Sequence, residues 1–167
     1  MYGCTRKSKV KAYYLALVRP LLEYSASVWS PHQKCDIDAL EKVQKHAARW
    51  ICASWSNSTF TWSKSYQQCC QELKWLSLHN RHNFLICCQV YKIIHGCTCI
   101  SSASYFSFKT NSCTRSHKLS LLCSHSRIHA FRHSFFIKAP FLWNKLPSSV
   151  KDVPSYASNA LEYFHSL

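Results

Sequence analysis

The chain has 167 residues, 47% of them apolar and 14% aromatic, which suits one folded domain and argues against wholesale disorder. Twenty-one Lys and Arg face seven Asp and Glu, and the formal net charge of +14 favours a polyanionic partner, either nucleic acid or an anionic membrane. Only two glycines are present, which argues against phosphate-binding glycine loops, and no apolar run reaches the length of about 18 residues that predicts a transmembrane helix.

A first amphipathic helix is predicted over residues 7–28, because apolar residues recur there at spacings of three and four. Pro20 lies inside this pattern and is expected to kink or split the helix, and Ser30-Pro31 should end it. The apolar stripe consists of Val10, Tyr14, Leu17, Leu21, Tyr24 and Val28.

A second helix is predicted over residues 37–53, with Asp36 as its N-cap and Asp38 and Glu41 in the first turn, where the helix dipole favours acids. Its expected buried stripe is Ile37, Leu40, Val43, Ala47, Trp50 and Ile51. The opposite side carries cations at helical spacing, and we call these three residues the basic ridge: Lys42, Lys45 and Arg49.

Further along the chain, residues 54–65 are predicted to form a loop and residues 66–73 a short helix. A strong helix follows over residues 78–95, and Gly96 suits its C-terminal stop. Residues 97–116 are rich in Ser, Thr and Cys and lack periodicity, which is typical of a mobile linker.

The C-terminal part is harder to interpret. Residues 117–123 and 128–136 alternate weakly and are compatible with two short strands. Residues 134–146 favour a helix instead, although Pro140 leaves that choice open, and residues 157–167 predict a last short helix. The expected fold is therefore mainly α, with a small β element allowed near residues 117–136.

Catalytic chemistry of the two-metal type needs clustered carboxylates. The acids are Asp36, Asp38, Asp152, Glu23, Glu41, Glu72 and Glu162. Only Asp36 and Asp38 are close in sequence, and the start of a helix explains them. We therefore expect no catalytic residue, no metal site and no cofactor.

The eleven cysteines are odd in number, and no signal-peptide core precedes them. Free thiols that pack as small hydrophobes are the expected state, in an intracellular protein of the nucleus or cytoplasm. A zinc site is a less favoured alternative, because the Cys97-x-Cys99 gap is shorter than in structural zinc pairs. Its candidate ligands are Cys97, Cys99, Cys113, His117 and Cys123.

Cations outside the apolar stripes are candidates to neutralise phosphates. They are Lys7, Lys9, Lys11, Arg19 and the basic ridge, Lys42, Lys45 and Arg49. Trp29, Trp55, Trp62 and Trp143 are candidates to stack on unpaired bases, although the helix end before Pro147 favours a packed indole at Trp143. Trp50 and Trp75, like Trp143, are expected in the core.

An ordered series of blocks resembles the region downstream of the palm in non-LTR (LINE-type) retrotransposon reverse transcriptases of the jockey and CR1 kind. The blocks are YLALVRPLLEY (14–24), VWSPH (28–32), LEKVQ (40–44), AARWI (47–51), LKWLSL (73–78), YKIIHG (91–96), SFF (134–136) and WNKLP (143–147). Ser27 and His82 depart from the family pattern, which often has proline and arginine there.

The resemblance implies that the polymerase palm, with its catalytic aspartates, lies upstream and is missing here, and that Met1 falls inside the family pattern. This chain would then be a helical thumb-like region over residues 5–96, a linker over 97–116 and a C-terminal α/β-hairpin segment over 117–167. It would contact the RNA or DNA template–primer, with Arg81 among the contacts, and the missing N-terminal polymerase core. It would have no membrane partner. The alternative is a relic without stable independent activity.

Overall fold

Helices dominate the chain, as the sequence predicts. The computed structural model describes residues 6–56, 59–61, 64–109, 118–151 and 156–165. Two compact units are present: the first comprises Met1–Ala26 and Pro31–Arg81, and the second comprises Ser27–Ser30 and His82–Leu167. The division after Arg81 differs from the domain boundary expected at residue 96.

The helix predicted over residues 7–28 is divided into α1 (Arg6–Tyr13), a π turn (Tyr14–Val18), α2 (Arg19–Glu23) and α3 (Ala26–Trp29). In the π turn the Arg19 N–H donates to the Tyr14 carbonyl, five residues back. Pro20 then lies in the first turn of α2, where a missing N–H leaves no helical hydrogen bond unmade. Pro20 is therefore accommodated by a change of helix type.

The π turn also changes which apolar residues reach the core. Tyr14 is buried and Val10 packs against the same core. The rest of the predicted stripe is mostly exposed, from 64% at Leu17 to 83% at Val28, with Leu21 and Tyr24 between those values. The extra residue in the turn rotates the following helix, so the stripe does not form one buried face.

Helix α4 (Lys34–Cys52) begins earlier than predicted. Its N-cap is Gln33, whose carbonyl accepts the first helical hydrogen bond from the Ile37 N–H at 3.1 Å. The prediction that Asp36 is the N-cap was wrong, because Asp36 already lies in the first helical turn. A carboxylate there still complements the helix dipole.

The core of the first unit forms where α4 meets the π turn and the segment around Trp75. Tyr14 and Trp75 stack with ring centroids 4.8 Å apart. Buried around them lie Ala48, Ile51, Cys52 and Cys69. Cys52 and Cys69 are free thiols in this apolar cluster, as expected of buried cysteines.

A small hairpin occupies part of the predicted loop over residues 54–65. Strands β1 (Ser54–Ser56) and β2 (Thr59–Thr61) pair antiparallel, with Trp55 opposite Phe60. Helix α5 (Tyr66–Leu73) follows as predicted and begins with a capping box between Ser65 and Gln68.

Helix α6 (Leu78–Ile94) matches the strong helix predicted over residues 78–95. Gly96 follows with φ +67°, and the Cys97 N–H donates to the Lys92 carbonyl at 2.8 Å, a Schellman-type ending. The remaining helices are α7 (Ser102–Tyr105), α8 (His129–Arg132), α9 (Phe135–Lys145), α10 (Ser148–Lys151) and α11 (Tyr156–His165). Helix α7 and the buried Phe106 occupy part of the predicted linker, whose residues 110–116 lie outside the described ranges.

The two strands predicted near residues 117–136 do not form a hairpin within the described part, 118–136. Residues 129–132 are helical and α9 begins at Phe135, so the helical alternative is confirmed there, with Pro140 inside α9. Leu121 forms one isolated antiparallel bridge with Phe108. Its other partner is a side chain: the Asn144 carboxamide accepts from the Leu121 N–H at 3.0 Å and donates to the Leu121 carbonyl at 2.8 Å.

None of the helices in the described ranges has both the length and the apolar character needed to cross a bilayer.

Candidate nucleic-acid interface

One side of α4 is fixed by hydrogen bonds of Gln44, which is buried although it is polar. The Tyr14 hydroxyl donates to Gln44 Oε1 at 3.2 Å. Gln44 Nε2 donates to the Tyr66 hydroxyl at 3.0 Å and to the Leu76 carbonyl at 2.7 Å. A buried carboxamide with its donors and acceptor paired specifies one orientation of the helix.

Glu41 strengthens this arrangement one turn earlier. It accepts hydrogen bonds from the Tyr66 hydroxyl and, at 2.9 Å, from the Leu78 N–H at the start of α6. Burial, followed by the hydrogen bond to Glu41, raises the pKa of Tyr66, and burial raises the pKa of Tyr14 to about 12. Both phenols therefore stay protonated near neutral pH and can keep donating.

The basic ridge lies on the side of α4 away from Gln44. Lys42 is exposed, whereas Lys45 and Arg49 are half-buried. Seven residues at the helical rise place Lys42 and Arg49 about 10 Å apart along the axis, enough to span about three phosphates of one duplex strand. Asp38, one turn before Lys42, is an exposed acid in the same row.

Beside the ridge runs a second row of exposed residues, and we call Ala39, Val43 and Trp50 the apolar row. Val43 is 40% exposed and Trp50 is 50% exposed. The prediction that both belong to the core was wrong, because the inward positions are taken by Gln44, Ala48, Ile51 and Cys52. A helical wheel centred on Gln44 would have placed Val43 and Trp50 at the far edge of the predicted stripe.

Further cations of the first unit lie on α1, which packs against α4. Lys7 and Lys9 are exposed and Lys11 is half-buried. Val10, between Lys9 and Lys11, packs against the core of the first unit. The structure thus brings the lysines of α1 and the basic ridge into one compact unit.

Two other predicted contacts, Arg19 and Arg81, are held inside the unit by Glu23. Arg19 Nε lies 2.7 Å and Arg81 Nε lies 2.8 Å from Glu23 Oε1. Burial alone would raise the pKa of Glu23, but hydrogen bonds from Arg81 and Arg19 outweigh it and keep that pKa below the usual value. Both arginines thus have a structural partner, and we leave them out of the proposed interface.

The remaining tryptophans differ in how far they are buried. Trp75 and Trp143 are buried, which confirms their prediction as core residues. Trp29 is partly exposed and its ring contacts His82 edge-on at 5.3 Å. The side chains of Trp55 and Trp62 lie outside the described residues.

The acids of the first unit have local roles. Asp36 and Asp38 are exposed in the first turns of α4, Glu23 and Glu41 accept the hydrogen bonds described above, and Glu72 pairs with Lys64 on the surface. The zinc hypothesis stays a hypothesis. Cys97 and Cys99 are exposed and Cys123 is half-buried, while Cys113 and His117 lie outside the described ranges.

Comparisons with protein families, curated proteins and solved structures give no match to this chain. The resemblance to retrotransposon reverse transcriptases therefore rests on the ordered sequence blocks alone.

Proposed function

We propose that this chain is a nucleic-acid-binding segment of a retrotransposon-type reverse transcriptase, from the region after the palm. It contacts the RNA or DNA template–primer and supplies no catalytic residue itself. The observation that carries the proposal is the basic ridge of α4, Lys42, Lys45 and Arg49, on a helix whose other side is fixed by Gln44 and Glu41.

Charge gives the physical basis. A net charge of +14 on 167 residues repels itself unless a polyanion neutralises it. Each lysine or arginine that contacts a phosphate releases condensed counterions, so binding gains free energy and becomes sensitive to salt. Because the helix that bears the ridge is already oriented, little further ordering opposes that gain.

The blocks that carry the resemblance coincide with residues that determine packing. In LEKVQ, Glu41 and Gln44 hold α4 while Lys42 between them is exposed. In WNKLP, Trp143 Nε1 donates to the Leu119 carbonyl at 2.8 Å and Asn144 pairs with Leu121. A pattern with these structural roles supports the proposal of a related fold, because it depends on more than composition.

The proposed partner of the first unit is the polymerase core that bears the catalytic aspartates. Large apolar side chains are exposed along α1, the π turn and α2, namely Tyr13, Leu17, Leu21 and Tyr24. A cluster of exposed large apolar residues on one helical segment is typical of a protein contact. We propose that the polymerase core covers it and supplies the phosphoryl chemistry.

Salt-dependent binding tests the nucleic-acid proposal. Affinity of the full chain for a labelled RNA–DNA hybrid is measured by fluorescence anisotropy at several salt concentrations. The triple variant Lys42→Gln, Lys45→Gln, Arg49→Gln should bind more weakly. The slope of log affinity against log salt is negative, and its magnitude should decrease by about 0.9 for each phosphate that the variant no longer neutralises.

The matched control removes the same charge from the second unit. Lys92, Lys118 and Lys145 are exposed there, and their triple change to Gln should leave the salt slope closer to that of the unaltered chain. If the two triple variants lose affinity equally, net charge alone explains the binding and the ridge is not an interface. Affinity that does not vary with salt contradicts the proposal altogether.

A further inference from the structure

We propose that Trp50 is a stacking site for an unpaired base, so that the α4 surface prefers single-stranded nucleic acid or a frayed end over a closed duplex. This inference rests on the proposed function and specifies its ligand. It is carried by two rows on one helix: the basic ridge and, beside it, the apolar row with the half-exposed indole of Trp50.

The exposure of Trp50 is unusual for its residue type. Tryptophan is highly buried on average, and an indole left half in water forgoes much of the stabilisation that its burial would give. The core beside it is already filled by Ala48, Ile51 and Cys52. Trp50 therefore does little for the packing of the first unit and is available to a ligand.

The neighbours of Trp50 on the helix suit a nucleotide. His46 is exposed one turn earlier, and Val43 lies one further turn along the same row. Arg49, adjacent in sequence, belongs to the basic ridge. A strand whose phosphates lie along the ridge can turn a base toward the indole, since every base has a π-face that stacks on an aromatic ring.

The base must be unpaired because a closed duplex covers both faces of each internal base with its neighbours. An indole on a helix surface can reach a base face only where the stack is open, as in a single strand, a bulge or a frayed end. A protein partner is the competing occupant of the apolar row. It is disfavoured because it would lie beside three cations, whose desolvation it would have to compensate.

Three probes separate the contribution of the base from that of the phosphates. They are a single-stranded RNA of about 12 nucleotides, an abasic strand of the same length, and a duplex closed at both ends by abasic linkers. Trp50→Ala should weaken binding of the base-containing strand roughly tenfold and leave the other two probes unchanged, because they offer phosphates but no open base face. Trp50→Phe, which keeps a ring, should retain most of the affinity.

The control is Phe141→Ala, because Phe141 on α9 is also 50% exposed but lies outside the first unit and its basic ridge. It should leave all three affinities unchanged. Thermal unfolding of each variant checks that the fold is intact. Because both positions are half-exposed, the substitutions should change the midpoint of thermal unfolding little.

Several outcomes overturn the inference. Equal weakening on all three probes means that Trp50 supports the ridge rather than a base. Unchanged affinity on every probe means that the apolar row serves another purpose, such as binding a protein. If the ridge variant binds like the unaltered chain, the proposed function itself fails. If the ridge variant binds weakly while Trp50→Ala is without effect, only the stacking site fails.

Discussion

The hydroxyl of Tyr14 donates to the carboxamide of Gln44 across 3.2 Å, and 30 positions separate the two residues in the sequence. Tyr14 is the first residue of the π turn, and Gln44 lies in the middle of α4. This hydrogen bond therefore joins the π turn to the buried side of α4. Gln44 also bonds Tyr66 and Leu76. One buried side chain therefore coordinates three segments of the first unit.

Replacing Gln44 with Ala should destabilise the chain by about 1–3 kcal/mol, because the Leu76 carbonyl and two phenols lose a buried partner. Urea denaturation followed by circular dichroism measures the change. Gln67→Ala is the matched control, since Gln67 is exposed on α5 and its replacement should have little effect. Equal stability of the two variants would contradict a structural role for the buried carboxamide.

Glu23 predicts a pH dependence of stability. Its pKa in the folded chain is lower than the ordinary value of 4.5, because the hydrogen bonds from Arg81 and Arg19 outweigh the effect of burial. A carboxylate with a depressed folded pKa stabilises the fold above its unfolded pKa, and that contribution is lost as pH falls through the folded pKa. Thermal midpoints measured from neutral pH down through this acidic window should fall less steeply for Glu23→Gln than for the unaltered chain.

The surface pair of Glu72 and Lys64 provides the comparison for that experiment. The hydrogen bond from Lys64 lowers the pKa of Glu72, but both side chains are exposed and solvent screens the pair. Glu72→Gln should therefore change the pH profile less than Glu23→Gln. The reverse order would show that the half-buried ion pairs of Glu23 are not the main acid-sensitive element of the first unit.

Asn144 should control the local stability of the segment around Leu121. Its carboxamide takes the place of a neighbouring strand by pairing with both the N–H and the carbonyl of a fully buried residue. Asn144→Ala removes the carboxamide from both groups, although the Cys123 thiol still lies 4.0 Å from the Leu121 carbonyl. The variant should destabilise the second unit by about 1–3 kcal/mol. Hydrogen exchange should speed up at Leu121, while Lys145→Ala, an exposed change on the same helix, should leave that amide protected.

Thiol reactivity should divide the cysteines by burial. Burial, with a hydrogen bond to Cys69, raises the pKa of Cys52 to about 12, and the thiolate is the reactive form. Cys35, Cys97 and Cys99 are exposed. Iodoacetamide at mildly alkaline pH, read by mass spectrometry, should label these three quickly and Cys52 only in denaturant. Labelling of Cys52 at the rate of Cys97 in the folded chain would contradict its burial.

Much of the helical architecture can be predicted from the sequence, because strong local signals agree with the fold. Helices α5 and α6 lie where periodicity places them, and Gly96 ends α6 with the positive φ that glycine tolerates. The buried Trp143 was also predicted, from an indole in an apolar block just before a proline.

The errors arise where the standard helical period or a local pattern misleads. A constant period assumes that no extra residue intervenes, so the π turn makes Leu17 and Leu21 look like core positions. Residues 117–123 have the alternation of a strand. In the described part of this segment, 118–123, Leu121 forms one β-bridge with Phe108, and the Asn144 side chain pairs with its backbone. Such a partner, more than 20 residues away, leaves no local signal.

The candidate site was predicted only in part. Spacing alone identified the basic ridge, because cations recur every three or four residues opposite an apolar stripe. Spacing did not reveal that Glu23 holds Arg81, since that ion pair joins residues 58 positions apart. The pair of Arg19 and Glu23 has the i,i+4 spacing of helix neighbours, which the sequence does show. The sequence does not reveal the exposure of Trp50, because its residue type and its place in the apolar pattern both favour the core.

The π turn sets the direction in which the N-terminal helical segment continues. A regular α-helix through the same residues, with none removed, would turn everything after it by about 100° relative to α1. Leu21 would then move to a new position around the helix axis, and the Glu23 carboxylate would leave the reach of Arg81. Deletion of one residue between Tyr14 and Val18 would remove the π turn and keep α2 close to its present direction, because the π turn differs from an α-helical turn by one extra residue. Within this stretch, that extra residue fixes where α2 points more strictly than the identity of the solvent-facing residues does.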